Sequence, residues 1–161
     1  MWQKIKPYIK TFVIAIAIPL AVGALSALLT GDNTSLYSEI NSPSFAPPAI
    51  LFPIVWSVLY VLMGVSSALV YINGEKSPTE ARRGLGFYAL SLGVNFLWSI
   101  IFFNLRLFLF AFFWLVLLLY LIIRTVICYF KVSKIAAFLQ IPYILWVAFA
   151  GVLNMAIYLL N

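Results

Sequence analysis

The sequence has no histidine, a single cysteine and only four acidic residues, and each scarcity removes a class of function. Without histidine there is no His-ligated haem, no His general base and no ordinary His-containing metal site. The lone thiol, Cys128, cannot form an intrachain disulfide. Nothing near it in sequence would hold a stable thiolate, so it reads as inert. Charged residues make up 9% of the chain, and none falls in the middle of an apolar run, where a proton relay or ion-coupled carrier would need one. There is no internal repeat, and an odd number of apolar runs does not divide into two inverted halves. The repeat architecture of secondary transporters therefore lacks support.

What is abundant is apolar surface. Of 161 residues, 65% are hydrophobic, and the mean hydropathy is +1.11. A water-soluble domain of this size cannot hide that much, so the bilayer is the solvent. A helix needs about 20 apolar residues to cross the hydrocarbon core. Five segments qualify, at approximately 8–29, 49–72, 85–104, 107–129 and 135–159. The alternating pattern of a membrane barrel is absent. The expected fold is all-α: a polytopic membrane protein, one five-helix transmembrane domain over residues 1–161. Lys4, Lys6 and Lys10 precede the first run as in a signal peptide. That run is long enough to span, and no good small-x-small cleavage site sits before a soluble domain, so it is expected to stay as the first helix.

Charge placement sets the expected orientation. Lys4, Lys6, Lys10, Lys76, Arg82, Arg83, Arg124, Lys131 and Lys134 all fall on one side of a five-span topology, and only Arg106 falls on the other, with Asp32 and Glu39. The N-terminus should be cytoplasmic, and the 30–48 loop and the C-terminus outside. Arg124, near a span end, is expected to snorkel toward the interface. The basic groups need no further role, and no nucleic-acid partner is expected. Thr30 to Pro48 is the one long connection. Its turn formers, Gly31, Asp32-Asn33, Asn41-Ser42-Pro43 and Pro47-Pro48, suit either a lid over the bundle or an ordinary exposed connector.

The groups left to bind anything are aromatics and amides. Prolines fit the first turn of span 2, and Trp56 and Tyr60 follow one turn apart on one face. Asn95, Trp98 and Phe102 form a stripe on span 3. Trp146, Phe149, Ala150 and Leu153 form another on span 5, completed by Asn154. An amide in hydrocarbon is costly unless bonded, so Asn95 and Asn154 should face inward. Singly, each of these residues can equally be an interface anchor or interhelical glue. Converging, they suit a flat, apolar ligand with a few polar edges. Gly86, Ala89 and Gly93 line one side of span 3, either for dimerisation or for packing within one bundle.

Three ordered blocks carry a resemblance. Pro47-Pro48 and Phe52-Pro53-x-Val55-Trp56-x-x-Leu59-Tyr60-x-x-Met63-Gly64 form the first. Asn95-Phe96-Leu97-Trp98 with Ile101-Phe102-Phe103 forms the second, and Pro142-Tyr143-x-x-Trp146-x-x-Phe149-Ala150 with Leu153-Asn154 the third. Over nearly the whole chain this resembles the translocator protein family, also called tryptophan-rich sensory proteins or peripheral benzodiazepine receptors, in a bacterial-type member. The resemblance implies a five-helix bundle, usually dimeric, with a cavity opening toward the loop between helices 1 and 2. Implied ligands are porphyrins such as protoporphyrin IX, cholesterol in animal members, and synthetic isoquinoline carboxamides and benzodiazepines. The implied ligand-binding set here is Pro47, Trp56, Tyr60, Asn95, Trp98, Phe102, Trp146, Phe149, Ala150, Leu153 and Asn154. Light-dependent porphyrin degradation, reported for some bacterial members, would rest on Trp56 and Trp146.

Three departures stand out. The family's Trp-x-Pro-Pro reads Phe45-Ala46-Pro47-Pro48. An acid of the fourth helix in animal members is replaced by Trp114, within a bulky run that would tighten a pocket wall. Tyr158 is followed by Leu159-Leu160-Asn161, with no base to complete the animal cholesterol motif, so cholesterol is not expected. The expectation is a homodimer in the bacterial cell membrane that binds porphyrin as a ligand, with no intrinsic cofactor and no metal. Transport of porphyrin or lipid between leaflets is the alternative.

Overall fold

A computed structural model describes residues 2–31 and 39–161, with side chains of the first helix from Tyr8 onward. Helix α1 covers Trp2–Thr30, α2 Leu51–Asn73, α3 Pro78–Ser99, α4 Phe108–Val132, α5 Lys134–Leu139 and α6 Ile141–Leu160. No strand occurs among the described residues. The helices make five segments long and apolar enough to cross a membrane, the last formed by α5 and α6 together. The protein is an all-α bundle of five membrane helices.

The elements follow from local chemistry. At the start of α2, Pro53 falls in the first turn, where a missing N–H costs nothing. Pro78 opens α3, which therefore begins well before the expected residue 85. Its first turns are polar, and Glu80 there is bridged to Lys131 of α4 at 3.3 Å. A hydropathy window cannot see a helix held by such a pair. Gly31, at φ 67°, ends α1 by donating to the Ala27 carbonyl, a left-handed cap that glycine adopts without strain. Between α4 and α5, the Ser133 hydroxyl accepts from the Ala136 N–H and starts the next helix. At the other end of α3, Ile100–Asn104 widens into a π turn, closed by Leu105 N–H to Ile100 C=O at 3.0 Å.

The helices form a ring in which α1 lies on α2 and α3, α3 on α4, and α4 on α6. α2 closes the ring mainly through α5 and touches α6 much less. The α2–α5 junction is polar: Gln140 Nε2 donates to Ser66 Oγ at 3.1 Å, and Ser66 Oγ donates to the Ala136 carbonyl at 2.7 Å. Along α1, the approach to α2 is close enough that a Cβ on Gly64 would sit 2.5 Å from the Ile16 Cα. A Cβ on Gly23 would run into the Tyr60 ring.

The loop end is tied shut. Glu39 pairs with Arg106 at 2.7 Å, Arg106 itself occupying the left-handed turn between α3 and α4 (φ 53°). Asn41 N–H donates to Asn161 Oδ1 at 2.9 Å, and Asn161 Nδ2 donates back to the Asn41 carbonyl at 3.0 Å. Ile40 and Ala46 pack onto the core. The visible part of the 30–48 connection thus lies over the bundle end; residues 32–38, with Asp32, lie outside the described residues.

Candidate functional site

Trp56 and Tyr60 project from α2 as neighbours one turn apart, with stacked rings 5.5 Å between centroids. Tyr60 is buried, and its Oη accepts a hydrogen bond from Asn95 Nδ2 of α3 at 3.1 Å. That bond satisfies an amide that would otherwise be costly in the apolar core. One turn further along α3, Trp98 Nε1 donates to Asn154 Oδ1 of α6 at 3.4 Å, and Asn154 Nδ2 donates to the Phe108 carbonyl of α4 at 2.7 Å. A single buried amide therefore ties three helices together. Trp98 also stacks on Phe102, with centroids 5.3 Å apart. Phe102 lies within the π turn and is buried.

On the facing wall, Ala150 and Leu153 of α6 are buried, and Trp146 and Phe149 are half-buried with rings 5.6 Å apart. Phe52 of α2 meets Trp146 edge-on at 5.7 Å, and Tyr143 of α6 meets Trp56 edge-on at 6.0 Å. These rings bridge the stretch where α2 and α6 have little direct contact. The Trp146 indole N–H is buried and makes no hydrogen bond among the described residues. The hydroxyls of Tyr88, Tyr129 and Tyr143 and the Gln140 side-chain oxygen are also buried without partners.

Every expected binding residue from α2, α3 and α6 thus joins one apolar core or hydrogen-bonds within it. Pro47 sits half-buried just before α2. Phe52, Tyr143 and the Phe108 carbonyl were not anticipated as site groups. The first two were signalled by spacing, since Phe52 precedes Trp56 by four residues and Tyr143 precedes Trp146 by three. Trp114 packs against the core and donates to the Val94 carbonyl at 2.8 Å. Phe45, the aromatic before the paired prolines, is exposed and lines a groove of about 550 Å³ between α4 and α6, along with Leu115, Val147 and Gly151. A second groove, among α1, α2 and α3, is lined by Ala15, Ser67, Tyr88 and Ala89. Neither groove is lined by the expected binding residues. The small residues Gly86, Ala89 and Gly93 are exposed on α3.

The sequence model of the TspO/MBR family matches residues 15–160. The chain belongs to that family. It is 37% identical to the "Tryptophan-rich protein TspO" of Chlorobaculum tepidum over 154 residues, covering 95% of this chain and 97% of that one. It is 38% identical to "Protein CrtK" of Rhodobacter capsulatus over 126 residues, 78% of each chain. The human "Translocator protein" is 30% identical over 152 residues, covering 94% of this chain and 90% of that one. The family match includes every expected binding residue. Together with five membrane-length apolar helices, it identifies an integral membrane protein of the TspO/MBR family.

Proposed function

We propose that the protein is a membrane sensor or receptor that binds porphyrins, protoporphyrin IX among them, and related apolar ligands between α2, α3 and α6. Relatives named translocator protein and tryptophan-rich sensory protein support a membrane sensor or translocator as the general role. The observation that carries the binding reading is the Trp146 N–H, a buried donor without an acceptor among the described residues, set between the rings of Phe52 and Phe149. A buried donor left unmet is costly. A flat ligand inserted among these rings would gain stacking from the aromatics and offer that donor a polar edge. The chain brings no acid–base pair to this region, so any chemistry would come from the ligand. In light, and with dioxygen as the oxidant, bound porphyrin would act as photosensitiser, with Trp56 and Trp146 as electron donors.

The proposed orientation puts the basic end in the cytoplasm and the loop end outside a bacterial cell membrane, following the charge asymmetry. The proposed assembly is a homodimer through the exposed Gly86–Ala89–Gly93 stripe, where a Cβ on either glycine would meet nothing within 4 Å.

The test is tryptophan-fluorescence titration of purified protein with protoporphyrin IX, in the dark and under illumination, for wild type, Trp56→Phe and Trp146→Phe. Saturable dark quenching without a new absorbing product supports a receptor or carrier. A product that needs light and disappears in the variants, with dark binding retained, supports photochemical breakdown. Absence of saturable quenching refutes the porphyrin reading.

A further inference from the structure

Arg124 carries a positive charge on a membrane helix, two turns before Lys131 near the end of α4. Its Nη1 donates to the hydroxyl of Tyr120, one helical turn earlier on α4, at 2.9 Å. Its Cζ lies 4.9 Å over the Phe87 ring of α3 and 5.8 Å from the Tyr120 ring. The guanidinium is thereby braced across the α3–α4 seam by two aromatic faces and one phenol.

Among the described residues this charge has no anion: their two ion pairs are Glu39 with Arg106 and Glu80 with Lys131, and Glu75, the other acid at the basic end, pairs with no described cation. A guanidinium has five N–H donors in a planar fork, and Arg124 makes one side-chain hydrogen bond. The seam opens sideways: Tyr120, Ile123 and Ile127 are exposed on α4, and Leu90 on α3. Arg83, four residues before Phe87 and therefore on the same face, is exposed as well. The surroundings of Arg124 are therefore apolar surface that faces hydrocarbon, with a second cation one turn nearer the helix ends.

We propose that Arg124, braced by Phe87 and Tyr120 on the lipid-facing seam of α3 and α4, binds the phosphate of an anionic phospholipid in the leaflet at the basic end. A phosphodiester presents paired oxygens that match the fork. Acyl chains of the same molecule, running from the basic end toward the midplane, would lie along Leu90 and Ile123, which a free inorganic anion could not use. The preference for an anionic over a zwitterionic lipid follows from Arg83 and from the engagement of Glu80 by Lys131, which leaves a choline or ethanolamine cation facing positive charge. Surface cations attract anionic lipid diffusely; the braced fork makes a defined site.

The test uses the full chain in phosphatidylcholine bicelles titrated with phosphatidylglycerol, bound lipid per chain being counted by native mass spectrometry. Wild type is expected to retain one phosphatidylglycerol saturably, and Arg124→Gln to weaken it about thirtyfold, as loss of a charge-assisted paired contact implies. Arg82→Gln removes the same charge from the same end but outside the aromatic brace, and should cost no more than about fivefold. Arg124→Lys, which keeps the charge and serves if the Gln variant does not fold, should lose about tenfold because it lacks the fork. Equal losses for Arg124→Gln and Arg82→Gln would overturn the site in favour of diffuse attraction, and full retention by Arg124→Lys would overturn the fork. Competition by inorganic phosphate alone at equal concentration would overturn the lipid as occupant.

Discussion

At the loop end of the bundle, Trp98 of α3 donates its indole N–H to Asn154, which in turn reaches the α4 backbone. Between α2 and α6, Trp146 sits in a similar aromatic setting with its N–H unmet. The two regions use the same residue types on neighbouring helices, and the difference lies in one amide. Where an asparagine faces the indole, the ring becomes part of a three-helix tie and is committed to the fold. Where none does, the ring retains an unsatisfied donor that an incoming molecule can use. The comparison separates an indole whose hydrogen bond is made within the bundle from one whose hydrogen bond is not.

The sharpest way to break it is at the tie. Asn154→Leu keeps volume close but leaves the Trp98 N–H buried and unpaired. A loss of about 2 kcal/mol is expected, read as a lower midpoint in thermal unfolding followed by circular dichroism in detergent. Porphyrin affinity of the folded fraction should stay near wild type. A variant as stable as wild type would show that the 3.4 Å contact contributes little and that the two indoles do not differ in kind.

Trp146→Phe probes the other side of the comparison. It removes a donor that no described residue uses, so stability should hold within about 0.5 kcal/mol of wild type, while protoporphyrin affinity falls about tenfold through loss of one hydrogen bond. Trp98→Phe should show the reverse pattern, with binding little changed and stability down by about 1 kcal/mol. A variant pair in which both substitutions cost stability equally would place Trp146 among the structural rings. Tyr60→Phe tests the residue shared between the regions. It leaves the buried Asn95 amide without its 3.1 Å acceptor, and a loss of about 1 kcal/mol is expected, visible in the same melts.

Much of this was legible in the residues. Asn95 and Asn154 announced themselves as amides in apolar runs that must be bonded, and Trp56 with Tyr60 as one face of α2. Hydropathy located five spans but not where α3 begins, because Pro78 to Gly84 is polar and is held by the contact of Glu80 with Lys131 rather than by lipid. The π turn at Ile100–Asn104 has no pattern in an all-apolar run, since both α and π winding bury such residues. Arg124 stands near a span end, and its partners are Tyr120 on its own helix and Phe87 on a neighbouring one. Phe45 belongs by motif with the α2 block but lies on the α4–α6 groove. Partners that come from other helices are what spacing within one helix cannot reveal.

The smallest effect concerns the strap above the Trp98 tie. Glu39→Gln removes an ion pair in which both side chains are more than half exposed, and such pairs contribute little because water competes for each partner. The reciprocal bonds between Asn41 and Asn161 would still hold the same segment down. The expected loss is a few tenths of a kcal/mol, shrinking further at high salt as screening weakens what the wild-type pair contributes. Melts of both proteins at low and high salt measure it. A loss above about 1 kcal/mol, insensitive to salt, would mean that Arg106, held in its left-handed turn, depends on Glu39 for the turn itself. The strap would then count as part of the same structural region as Trp98, and the boundary between the bonded and the unbonded indole would extend to the surface of the bundle.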